Sequence, residues 1–90
     1  MQVALSIIIP VKDEGENIDI LGNEINMAME NVTLPWECIW IDDGSTDTTV
    51  GELKKLSACD ARHRLVILAR NFGQSAALSV GFQNATGDIL

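Results

Sequence analysis

The chain has 90 residues, 47% of them hydrophobic and 21% charged, which excludes a disordered segment and fits one globular domain or part of one. Thirteen acids against six bases give a formal net charge of −7, which excludes nucleic acid as a main partner, because binding its phosphates needs a basic face. No apolar run approaches the ~20 residues of a membrane span, and the opening MQVALSIIIPVKDE lacks the basic flank of a signal peptide.

Val3 to Pro10 is a continuous aliphatic run and reads as a strand buried on both faces, with Pro10 ending it because it cannot donate to a ladder. From Glu16 to Val32 the apolar residues Ile18, Leu21, Ile25, Ala28 and Val32 recur at helical steps. Glu14, Glu16 and Asp19 sit where the helix dipole favours negative charge. Leu34-Pro35 closes this segment. Glu37 to Asp42 reads as a second short buried strand, followed by a turn at Asp43-Gly44-Ser45. Ser45, Thr46 or Asp47 can cap a second helix over Thr48 to Ser57. Arg64 to Ala69 reads as a third strand, and Gly73 to Asn84 as a third helix. Its small residues Ser75, Ala76, Ala77, Ser79 and Gly81 allow close approach to a sheet. Gly87 to Leu90 opens a fourth strand. This alternation predicts an α/β fold: a Rossmann-like parallel sheet with flanking crossover helices.

Open parallel sheets bind ligands outside the carboxyl ends of their strands. The unusual polar residues fall there: Lys12, Asp13 and Glu14 after the first strand, Asp42, Asp43 and Ser45 after the second, Arg70, Asn71 and Gln74 after the third. The opposite ends carry little of note. Adjacent aspartates on a strand end point to opposite sides. Asp42 and Asp43 are therefore not a chelating pair; one faces the crevice while the other ties down the loop. Several residues read as structural instead. Glu14 and Glu16 suit a helix start, Arg70 suits a surface charge, and Trp36 and Trp40 suit packing. His63 sits in a polar turn and reads as solvated. Cys38 and Cys59 lack metal-ligand spacing and read as reduced, buried thiols of a reducing cytoplasm. The glycine-rich signatures of a dinucleotide site and a P-loop are both absent. One histidine in a polar turn supports no Ser-His-Asp or Cys-His set.

Three blocks then stand together. Ser6-Ile7-Ile8-Ile9-Pro10-Val11-Lys12-Asp13-Glu14 resembles the opening strand and P-x-x-N-E turn of family 2 glycosyltransferases. Ile41-Asp42-Asp43-Gly44-Ser45-Thr46-Asp47 resembles their D-D-G-S-x-D block. Arg70-Asn71-Phe72-Gly73-Gln74-Ser75-Ala76-Ala77-Leu78 resembles the R-N-x-G-x-x-x-A segment of the polyprenyl-phosphate branch, which includes dolichol-phosphate mannose synthase. Lys12 departs from an aromatic found in many members, and Asp13 from the common Asn.

The resemblance implies the N-terminal half of a GT-A fold, with residues 1–90 a partial nucleotide-sugar-binding domain that stops before the D-x-D metal motif. It implies a UDP- or GDP-sugar donor and a polyprenyl-phosphate acceptor. Pro10, Val11, Lys12, Glu14, Ile41, Asp42, Asp43 and Arg70 would line the nucleotide site, with Gly44, Ser45 and Asn71 supporting its loops. It further implies Mg2+ or Mn2+ in the parent enzyme, with the main ligands outside these 90 residues, and no catalytic residue or transferase activity in the chain alone. The expected location is the cytoplasm, or the cytoplasmic face of a membrane. The rival readings are a non-catalytic nucleotide-binding module, a module that self-associates through an exposed sheet edge, and a nucleotidyltransferase-type enzyme, which would need more phosphate-gripping bases than the sequence holds.

Overall fold

The computed structural model describes residues 3–68 and 74–89. In chain order the elements are β1 (Leu5–Val11), a 3-10 turn at Gly15–Asn17, α1 (Ile18–Ala28), β2 (Trp36–Asp42), α2 (Thr49–Cys59), β3 (His63–Ile67), α3 (Gln74–Asn84) and β4 (Asp88–Ile89). All four strands are parallel, in the order β3-β2-β1-β4. The expected α/β architecture is therefore present.

β2 is buried at every position because it lies between two strands and two helical layers. Trp36, Cys38 and Trp40 pack with Ile18, Met29 and Leu53 on the face covered by α1 and α2. Ile39 and Ile41 pack on the other face with Ile8, Val66, Leu68 and Ala85, where α3 crosses β1 and β2. The α3 crossing is close. A Cβ on Gly81 would sit 2.3 Å from Ile8 Cγ2, so this position has room only for hydrogen. From β1 the chain steps outward through β2 to β3, then returns through α3 to place β4 on the other side of β1. The connections reverse between β1 and β4, and in such sheets the ligand crevice opens at that reversal, outside the carboxyl ends.

Several local expectations are corrected. Pro10 does not end β1, which runs to Val11 and pairs Pro10 with Ile41. The Leu5 amide and the Val11 carbonyl both bond toward the β2 side, so within β1 the even-numbered residues turn their amides away from β2. Among the described residues β4 pairs only with Leu5 and Ser6, and there the missing N–H of Pro10 interrupts no ladder bond. Helix α1 begins at Ile18 and ends at Ala28, which is exposed; Met29 takes its place against the core. Asn31, Val32 and Thr33 are weak helix formers, and Pro35 forces Leu34 out of the helical region. Val32 still reaches the core from a turn, its amide bonded to the Met29 carbonyl.

His63 is 1% exposed, not solvated, and opens β3. Its Nδ1 accepts the Trp40 Nε1–H at 3.0 Å, so the neutral Nε2–H tautomer is selected and Nε2 donates to Asn26 Oδ1 at 2.8 Å. The Trp36 ring stands edge-on to the same imidazole, and the Arg62 guanidinium lies 4.3 Å above that indole. Trp36 and Trp40 are packing residues, as expected. Both cysteines are free, but only Cys38 is buried, and burial pushes its thiol up to about 12; Cys59 is exposed.

The amino ends of the strands are not bare. Glu37, 3% exposed, accepts hydrogen bonds from the Ser6 hydroxyl (2.6 Å), the Thr86 amide (2.9 Å), the Thr86 hydroxyl (2.7 Å) and Arg64 Nη1 (2.5 Å). Burial alone would raise this carboxyl. The Ser6, Thr86 and Arg64 bonds outweigh it and hold the group at about 2.

Candidate nucleotide-binding rim

The rim is built where β1 and β2 end side by side. The Asp43 amide donates to the Val11 carbonyl at 3.0 Å, which carries the pairing one residue past β2. Gly44 then takes φ 80°, a left-handed turn that favours glycine, and the Ser45 amide folds back to Asp42 Oδ2 at 3.2 Å. Of the two aspartates, Asp42 thus ties down its loop.

The loop after β1 is stitched to the loop after β2. Asp13 adopts φ 53°, a left-handed conformation that Asp tolerates better than most residues. Its amide donates to Ser45 Oγ at 2.9 Å, and its Oδ1 accepts the Thr46 amide at 2.7 Å. The Glu14 amide donates to Thr49 Oγ1 at 2.9 Å, and the Gly15 amide to Asp47 Oδ2 at 3.1 Å. Asp47 Oδ1 accepts the Thr49 amide at 2.8 Å and also its hydroxyl, so Asp47, one residue before the N-cap Thr48, anchors the first residue of α2. Those bonds, from the Thr49 hydroxyl and then its amide, hold the Asp47 carboxyl below the usual range. Gly15 permits the approach, since a Cβ there would lie 2.2 Å from Thr48 Oγ1.

Within this frame the expected residues are distributed unevenly. Lys12 is exposed on the rim, and Glu14 is half-buried and accepts a bond from Asn17 Nδ2 at 3.0 Å. Val11 and Ile41 are core side chains, so only their backbones can face a ligand. Asp43 is 6% exposed beside Val11. Arg70 and Asn71 lie outside the described residues. Asp13, Asp47 and Thr49 matter more than the sequence pattern indicates, because they lock the two loops together.

Besides holding its loop, Asp42 has a second carboxylate oxygen to account for. The residue is 1% exposed, and its Oδ1 is buried with no hydrogen-bond partner among the described residues. Buried polar atoms are nearly always bonded. A buried carboxylate oxygen without a partner at a strand end is a strong acceptor for any N–H or O–H brought to it. Among the described residues, no three His, Cys, Asp or Glu side chains converge as metal ligands. A concavity of about 440 Å3 lies at the opposite rim, among Val32, Leu34, Pro35, Trp36 and Arg62. Its walls are mostly apolar, and the unpartnered acceptor is at the other end of the sheet, so the concavity does not mark the polar-ligand site.

The family model described as Glycosyl transferase family 2 matches residues 6–90. Over 87 residues the chain is 37% identical to the undecaprenyl-phosphate 4-deoxy-4-formamido-L-arabinose transferase of Pectobacterium carotovorum, covering 96% of this chain and 27% of that protein. It is 34% identical over 89 residues to the putative glycosyltransferase CsbB of Bacillus subtilis, covering 99% and 27%. The chain therefore spans about a quarter of the length of these relatives. In fold it is similar to the mannosyltransferase PcManGT of Pyrobaculum calidifontis, solved with GDP-Man and Mn2+ (TM-score 0.74, 21% identity, 96% of this chain and 25% of that one). It is also similar to S. aureus TarS 1–349 (TM-score 0.81, 24% identity, 98% and 26%).

Proposed function

Because the chain belongs to glycosyl transferase family 2, we propose that it forms the nucleoside-binding wall of an enzyme that moves a sugar from a UDP- or GDP-sugar to a polyprenyl phosphate. The buried, unpartnered oxygen of Asp42 at the carboxyl-end rim is the observation that carries this reading. It accepts a base N–H or a ribose hydroxyl, while Asp43, Glu14 and the backbones of Pro10, Val11 and Ile41 form the surrounding wall. Lys12 and Arg70 supply positive charge, and Gly44, Ser45 and Asn71 hold the loops. The polyprenyl acceptor follows from the relative named for undecaprenyl phosphate; a dolichol-type carrier is the variant of the same chemistry. Mg2+ or Mn2+ accompanies the diphosphate, and its ligand set is not among the described residues. Alone, these 90 residues bind nucleotide without transferring sugar. Among the described residues no helix is long and apolar enough to cross a membrane; the reaction belongs on the cytoplasmic face.

Calorimetric titration of the folded chain with UDP and GDP, with and without Mn2+, tests this. Weak binding of one nucleotide, insensitive to metal, is expected. Asp42→Ala should weaken it by more than about tenfold, the size of a lost charge-assisted hydrogen bond. Unchanged affinity in Asp42→Ala and Asp43→Ala would remove the assigned site. A second reading, self-association, is favoured by one observation: β3 has a single neighbouring strand among the described residues. A mass that stays monomeric as concentration rises would dismiss it.

A further inference from the structure

We propose that Glu37 is a positioning residue: it sets the register of β4 against β1 and so fixes where the chain leaving β4 enters the ligand crevice. The consequence for the crevice rests on the reading of that rim as the donor-nucleotide site. The register claim rests on geometry alone.

Glu37 sits near the amino end of β2, on the face of the sheet that α3 covers, and reaches three other segments. One of its oxygens takes the Ser6 hydroxyl of β1 together with the amide and hydroxyl of Thr86, two residues before β4. The other takes Arg64 of β3. Ser6 Oγ passes the connection on by accepting the Gly87 amide at 2.9 Å. The two residues that immediately precede β4 are therefore both bonded into the Glu37–Ser6 pair. Among the described residues the ladder that follows pairs Leu5 with Asp88 and Ser6 with Ile89. A slip of one residue in that pairing would turn every following side chain to the other face, so whatever fixes the first residues of β4 fixes the rest. Gly87 permits the close approach of this segment to β1, because a Cβ there would lie 2.7 Å from backbone atoms of Ala4 and Leu5. Both features act at the start of β4, and β4 flanks the reversal in strand order where the crevice opens.

The carboxylate is needed for this, since it accepts four hydrogen bonds and donates none. In Glu37→Gln the amide nitrogen would face donors whichever way it turned. The test is site-resolved amide exchange on the full chain. Glu37→Gln should speed exchange at Gly87 and Asp88 by at least about tenfold and leave Ile9 and Ile39 unchanged. Thr86→Val removes one hydroxyl donor and should speed the same amides by a smaller factor, about threefold. It decides the matter if Glu37→Gln does not fold. Unchanged exchange at these amides in a folded variant overturns the proposal. So does an equal rise at Ile39, which would mean that Glu37 merely supports the whole core. In the full-length protein, Thr86→Val should lower sugar turnover several-fold while UDP or GDP affinity stays near wild type, because the β1–β2 rim is untouched. Wild-type turnover with loosened β4 amides would overturn the link to the crevice. Failure of the wild type to bind either nucleotide would sink the functional reading and leave the exchange result to judge the register.

Discussion

Asp13 shows how one side chain does two jobs on this rim. It occupies a left-handed backbone conformation, and it supplies the acceptor for the Thr46 amide across to the next loop. Asp13→Asn keeps both, since the amide oxygen still accepts and Asn tolerates φ > 0; its unfolding free energy should shift by less than about 0.5 kcal/mol. Asp13→Ala loses both and should cost about 1–3 kcal/mol in urea denaturation. Equal stability of the two variants would deny the cross-loop bond any weight. The sequence announces only part of this site. Asp42 and Ser45 are legible, because polar residues at a carboxyl strand end have few structural reasons to be there. The Gly15–Asp47 and Glu14–Thr49 bonds are not, because they join residues 32 and 35 positions apart and depend on how α2 is set against the turn after β1. Glu37 and His63 stay hidden for a related reason. In sequence Glu37 is only the first residue of a strand, and His63 only a polar residue among charged neighbours. The fold is what places donors around the carboxylate and an indole N–H against the imidazole.

At the scale of elements, the alternation of strands and helices is carried by periodicity and survives intact, whereas element ends shift by a few residues wherever tertiary contacts decide them. Pro10 is the clearest case: it stays inside β1, paired with Ile41, because its missing N–H lies on the side away from β2, which only the pairing reveals. The helix–sheet spacing gives a paired prediction. A methyl group added at Gly51 on α2 would meet nothing within 4 Å, so Gly51→Ala should gain about 0.5–1 kcal/mol from helix propensity. Gly81→Ala carries the same propensity gain but drives a methyl to 2.3 Å from Ile8 Cγ2. Overpacking of that kind costs about 1–3 kcal/mol, and Ile8 is itself held against Ile39 and Ile41. The net effect should be a loss of about 1 kcal/mol. Thermal unfolding of both variants checks the sign, and a stabilised Gly81→Ala would mean that α3 does not press on β1 as described.

For the molecule as a whole, stability should fall with acid in two stages. Burial is the main cause of the lowered His63 pKa, with Asp60 opposing and Arg62 reinforcing it. The folded state therefore declines a proton that the unfolded chain accepts below its ordinary value of about 6.5, and stability begins to fall as pH drops through that point. The second stage belongs to Glu37, held at about 2 against 4.5 when unfolded. Its contribution is complete above pH 4.5 and is lost as pH falls toward 2, for a total of up to about 3 kcal/mol. Asp60, held at about 2 chiefly by Arg62, adds a smaller loss below 3.8; Arg62 is half exposed, so solvent screens that pair and about 1 kcal/mol is a fair ceiling. Acid also relieves the repulsion implied by a net charge of −7, which works the other way. Those charges are mostly on the surface and are screened at physiological salt, where the Debye length is about 8 Å, so the buried groups should win. Urea midpoints from pH 8 to pH 3 should show a shallow decline below 6.5 and a steeper one below 4.5. Glu37→Gln should remove most of the steep limb and leave the shallow one. A steep limb that persists in that variant would move the acid sensitivity from the β4 junction to the remaining surface carboxylates.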